Sequence, residues 1–159
     1  MVWTDDGVKE VAFNNNKLYN NNMKKVSLTL KERHLLFGVL ATWKGGMDEM
    51  PFVSDDVKAV NVTDEEWKKA NRVIHVWVKM KEGGVEVMID STKYDGTKMD
   101  LIPEKNGYWT WDEKKVADKE VEVSPASAKY LKKLMDDKSA KNEIELKDKD
   151  LVDLLKKIS

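Results

Sequence analysis

Apolar and polar positions change their period twice along the chain, and each change marks a new kind of element. Thr29-Leu-Lys-Glu32 has the form of a capping box, in which the threonine hydroxyl and the glutamate carboxylate take amides left over at a helix start. Leu30, Leu35, Leu36, Val39 and Leu40 follow at helical spacing and predict a first helix over about 30–42, stopped by Lys44-Gly45-Gly46. Pro51–Val60 predicts a short second helix opening at Ser54, with Val57 and Val60 inward. Thr63-Asp-Glu-Glu66 is a second capping box, and Trp67 and Ala70 continue it into a helix from 64 to about 72 whose acidic first turn suits the helix dipole.

The period then drops to two. Ile74, Val76, Val78 and Met80 alternate with His75, Trp77, Lys79 and Lys81, and beyond Glu82-Gly83-Gly84 the residues Val85, Val87 and Ile89 alternate again. This predicts a β-hairpin over 74–90. Turn chemistry at Tyr94-Asp-Gly96, Ile102-Pro103 and Lys105-Asn-Gly107 makes 91–107 a loop. Short strands follow near 108–112 and 118–123, with Val121 and Val123 on one face beside Trp109 and Trp111, whose own face lies against the helices.

Ser124-Pro125 opens a helix, serine as the cap and proline where its missing amide costs nothing. Tyr130, Leu131, Leu134 and Met135 form its inner stripe, and Asp136-Asp-Lys-Ser139 ends it. Glu143–Lys147 is a linker anchored by Ile144 and Leu146, and a last helix from Lys147 or Asp148 carries Leu151, Val152, Leu154, Leu155 and Ile158. The order predicts an α+β fold: a small antiparallel sheet (hairpin 74–90 plus the strands near 108–112 and 118–123) packed against N-terminal and C-terminal helices, one domain over 23–159.

Residues 1–22 lie outside this pattern. They hold six asparagines in two triplets and a scattered Trp3, Val8, Val11, Phe13 and Leu18. They are expected to be a flexible extension or a leader, with Met23 as the start of the working chain.

Composition narrows the chemistry. Apolar residues make up 41% and charged residues 36%, enough of the former to fold. Lys+Arg 28 against Asp+Glu 29 leaves no basic field to gather phosphates. The absence of cysteine removes thiolate nucleophiles and Cys-based zinc sites. His34 and His75 stand apart from each other and from any third ligand, and Asp55-Asp56 and Asp136-Asp137 read as solvated helix ends. No Gly-rich phosphate loop, nucleophile elbow or HExxH is present, so the expectation is a chain without cofactor or metal and not an enzyme. No apolar run reaches the roughly 18 residues of a membrane span, so the expected location is cytoplasmic.

What remains is recognition. Trp77 points away from the Ile74–Val78 core face and shares its side with His75 and Lys79, which makes these three the candidate contacts for a protein partner or a second copy. The alternative is a winged-helix DNA binder, with 64–72 as recognition helix and 74–90 as wing. Lys68, Lys69, Arg72 and Lys81 would be its contacts, against an acidic Asp64-Glu-Glu66 start that disfavours it.

Lys25-Val-Ser-Leu-Thr-Leu-Lys-Glu-Arg33 with its helix, Thr63–Trp67, Tyr108-Trp-Thr-Trp111, Asp118–Ser124 and the closing leucine helix together resemble a group of small uncharacterised phage and prophage proteins, over about Met23 to Ile158. The resemblance implies a phage-linked source, hence a host cytoplasm or a virion as location. It implies no activity, and it carries no site residues across.

Overall fold

The computed structural model describes residues 22–159 and confirms an α+β fold. The extension read over 1–22 lies, but for Asn22, outside the described residues. The elements are β1 (Lys24–Leu28), α1 (Leu30–Leu40), α2 (Met50–Val60), α3 (Asp64–Lys69), β2 (Val73–Met80), β3 (Glu86–Asp90), β4 (Met99–Leu101), β5 (Tyr108–Thr110), β6 (Lys119–Val123), α4 (Pro125–Ala140) and α5 (Lys149–Ile158). They fall into two compact units, the chain through Val62 with Asp118–Ser159, and Thr63–Ala117.

In the first unit β1 and β6 form a two-stranded antiparallel sheet, Val26 opposite Val121 and Lys24 opposite Val123. This corrects the placement of strand 118–123 beside Tyr108–Trp111. The physical reason is that Lys24-Lys-Val-Ser-Leu28 is itself a period-two strand whose buried Val26 and Leu28 complete one apolar face with Val121 and Val123. The core joins them to Leu36 and Leu40 of α1, Val53 and Val60 of α2, Leu131 and Met135 of α4, and Leu154 and Ile158 of α5.

Both capping boxes form as spaced, Thr29 with Glu32 and Thr63 with Glu66. The α4 helix runs past Asp136-Asp137 to Ala140, and turns off at Asn142, whose φ of 55° lets Glu143 N donate to Lys138 O. Lys132 reaches Asp136 at 2.5 Å along the exposed face of the helix.

Asp56 also departs from expectation. It is no solvated helix end but is 1% exposed. Its carboxylate accepts from Ser124 N at 3.0 Å and Ser124 Oγ at 2.5 Å, and also from Ser127 Oγ. A carboxylate of α2 thus closes the start of α4 from across the core.

In the second unit β2 is the centre. β3 pairs along one edge with His75 opposite Asp90, Trp77 opposite Met88 and Lys79 opposite Glu86. Along the other edge β4 pairs with Val78–Met80 and β5 with Val73–His75. Residues 99–110, read as loop up to 107, are therefore one antiparallel run with an excursion over 103–107, stitched by Ile102 N donating to Trp77 O at 2.9 Å. Gly107 closes the excursion, and a Cβ there would lie 1.8 Å from His75 O. The hairpin turns through Gly83 and Gly84 at φ 84° and 68°. α3 is shorter than the predicted 64–72 because Asn71 takes φ 54°, and Arg72 N then donates to Trp67 O at 3.1 Å.

Candidate functional site

Strand register decides which side chains meet. On β2 the odd positions His75, Trp77 and Lys79 share one face with Asp90, Met88 and Glu86 across β3 and with Tyr108 across β5. The three residues picked from alternation are therefore together, as spaced. The opposite face holds Ile74, Val76 and Val78, and there Trp67 of α3 packs edge-on against Trp109 at 5.7 Å and Trp111 at 5.3 Å. The tryptophans of the 108–112 stretch do lie against a helix.

The first face is a built surface. His75 stacks on Tyr108, centroids 4.5 Å apart and planes 19° off parallel, and its Nε2 shares a hydrogen bond of 3.0 Å with Thr110 Oγ1. Trp77 is half-buried, because the 103–107 excursion sets the Lys105 ammonium 4.8 Å from its ring centroid. Lys105 is ion-paired to Glu86, and its hydrogen bond and charge hold the Glu86 carboxyl below 4.5.

Asp90, opposite His75, has its carboxylate engaged by Thr92 N at 2.9 Å and Thr92 Oγ1 at 2.8 Å, which holds its pKa below 3.8. The imidazole thus meets a phenol and a hydroxyl and lies opposite a carboxylate already engaged by Thr92.

Sequence reasoning missed Tyr108, Met88 and Lys105 as members of this face. Tyr108 and Met88 follow from register alone once the partner strands are aligned. Lys105 follows from no pattern, since a loop excursion places it.

Of the alternative set, Lys68 and Arg72 line one pocket with Asp64 and Trp67, and Lys81 lies apart from them. Lys68 and Lys69 end α3, and Arg72 stacks between indoles, its Cζ 5.1 Å from the Trp67 centroid and 4.6 Å from that of Trp109. Lys81 lies beyond the far end of β2, 3.9 Å from Asp100. At about 3.3 Å per residue, Arg72 and Lys81 are roughly 30 Å apart along the strand. Register therefore brings His75, Trp77 and Lys79 together, and it separates Arg72 from Lys81.

Among the described residues no group of three or more histidines and carboxylates is placed to hold a metal ion, and no helix is long and apolar enough to cross a membrane. Compared with protein-family models, with curated proteins and with solved structures, the chain matches none.

Proposed function

We propose that this chain is a non-catalytic protein-interaction module, an accessory protein of phage or prophage type that works in the host cytoplasm by docking a protein partner on the His75–Trp77–Tyr108 face. One observation carries the reading. A sheet face sets an imidazole, an indole, a phenol and a thioether side by side, and Tyr108 on it is 52% exposed. Aromatic and methionine side chains are what protein interfaces concentrate. The phage-type source rests on the resemblance of the Lys25–Arg33, Thr63–Trp67 and Asp118–Ser124 stretches.

The test is affinity capture on immobilised full-length protein with three baits: the wild type, Trp77→Ala/Tyr108→Ala, and Leu146→Ala as a control, since Leu146, expected from the sequence to anchor its linker, is instead 96% exposed. The expected result is a protein retained by wild type and control and lost by the double variant. Capture that ignores the double variant, or no capture at all, rejects the reading. Sedimentation velocity of the same three proteins covers the case in which the partner is a second copy.

DNA binding through Lys68, Lys69, Arg72 and Lys81 is favoured by one feature, the basic last turn of α3 beside Arg72. It predicts duplex binding that weakens steeply with salt and is lost in Lys68→Ala/Lys69→Ala.

A further inference from the structure

We infer that the first unit carries a separate binding cleft for an acidic peptide segment with one large apolar anchor residue, between the α1–α2 loop and α4. The cleft has a volume of about 170 Å³, and Trp43, Ala126, Tyr130, Lys44, Lys129 and Lys133 line it together with Gly45 and Glu49. Its α4 wall is a helical stripe, Ala126, Lys129, Tyr130 and Lys133 at spacings of three and four. The loop wall is fixed to it, as Tyr130 Oη donates to Thr42 O at 2.7 Å and meets Thr42 Oγ1 at 3.0 Å. Trp43 is held by the loop's own backbone, since a Cβ on Gly45 would lie 2.4 Å from Trp43 Cζ2. The floor is thus an indole, a methyl and a phenol ring set before any ligand arrives.

Charge and size select the occupant. Of the three ammonium groups, Lys129 has a carboxylate, Glu49 Oε1, at 3.6 Å, whereas Lys44 and Lys133 have no ion pair among the described residues. The cleft therefore keeps uncompensated positive charge in a chain whose net charge is −1. Pockets for whole small-molecule ligands run to about 300–1,000 Å³, so this one admits a single large side chain. An apolar anchor with Asp or Glu on both sides satisfies the apolar floor and the basic rim together.

Isothermal titration of full-length protein with a pool of capped pentapeptides DE-X-DE, X being Phe, Trp, Tyr, Leu, Met or Ala, tests this. The expected result is saturable binding for at least one large X, at least about tenfold weaker for X = Ala and at least about tenfold weaker in Lys44→Ala/Lys133→Ala, with loss at high salt. Gly45→Ala, which moves the indole and leaves the charge alone, should weaken binding severalfold, and Tyr108→Ala should leave it unchanged. The last point separates this cleft from the sheet face of the second unit. No saturable binding for any X up to about 1 mM, equal binding of the X = Ala peptide, or indifference to the lysine variant would overturn the inference. Tighter binding of ATP or duplex DNA through the same lysines would overturn it in favour of a nucleotide site.

Discussion

Among the largest fully buried side chains of the described residues, Leu28, Leu30, Leu36, Leu131 and Leu154 belong to the first unit, and Val78 alone belongs to the second. The second unit buries Trp67 instead, and sets Trp109, Trp111 and Arg72 around it. The difference is one of cohesion. Transfer of aliphatic groups from water, about 1.5–3 kcal/mol for each fully buried side chain, holds the first unit. The second relies on a strand ladder and on aromatic contacts worth about 0.5–1.5 kcal/mol each beyond their area. A unit held in the second way can leave chemically distinctive side chains on its surface, and the His75–Trp77–Tyr108 face is such a surface. The acidic-peptide cleft inferred in the first unit lies where a loop crosses a helix.

The comparison breaks most severely at Asp56. Asp56→Ala leaves Ser124 N, Ser124 Oγ and Ser127 Oγ without their acceptor inside the core, at about 3 kcal/mol or more. Urea unfolding should show the midpoint fall with the slope unchanged, and a loss below about 1 kcal/mol would mean that water takes the carboxylate's place. The same residue gives a pH signature. Burial raises the Asp56 carboxyl above 3.8, Asp55 adds to the rise, and the hydrogen bonds from Ser124 and Ser127 offset it only in part. The native state then holds the proton more tightly than the unfolded chain does. Its stabilising contribution is complete below 3.8 and is lost as pH rises through the elevated value. Stability measured against Asp56→Asn should therefore decline from pH 3.8 upward and level off, and a rising difference would reverse the sign of the burial effect.

Patterns that live within one element were readable from the chain. The two threonine capping boxes, Ser124-Pro125, the 74–90 hairpin and the common side of His75, Trp77 and Lys79 all depend on spacings of two to four residues, and all are present. What was misread depends on partners far away in sequence. Strand 119–123 could pair with any period-two segment, and its partner starts at Lys24, where the capping box of α1 drew attention to the helix instead. Asp56 looks like any surface aspartate until Ser124 and Ser127, some seventy residues later, turn toward it. Lys105 caps Trp77 through a loop excursion that no periodicity encodes. The face was legible as a row of residues on one strand, and its completion by Tyr108, Met88 and Lys105 was not.

A backbone lesion should affect the second unit as a core lesion affects the first. Gly107→Ala puts a methyl group into the space of His75 O, so β5 must move off β2 or the 103–107 excursion must rearrange. Overpacking of this kind costs about 1–3 kcal/mol. Hydrogen exchange should show faster exchange at the amides of β5 and of Val73–His75, with those of β1 and β6 unchanged. In the capture experiment the variant should behave as Trp77→Ala/Tyr108→Ala does, because the stack on His75 goes with the strand. Unchanged exchange at β5 would show that the excursion absorbs the methyl group and that the ladder is stiffer than the comparison holds.

The mildest change sharpens the surface itself. Lys105→Ala removes a cation over Trp77 at a partly exposed site, at about 0.5–1 kcal/mol, so the fold should persist with a nearly unchanged urea midpoint. Two local readouts should move nonetheless. Fluorotryptophan NMR, which resolves each indole, should report a more solvent-accessible Trp77 while the Trp67 and Trp109 signals stay in place. The Glu86 carboxyl, held below 4.5 first by the hydrogen bond from Lys105 and then by its charge, should titrate closer to 4.5. If Trp77 gains accessibility while Glu86 stays low, Lys79, opposite Glu86 in the ladder, has taken over the pairing, and the indole is shielded by packing apart from charge. If Glu86 moves while Trp77 does not, the ammonium sits over the ring without covering it, and a partner must already meet the indole directly.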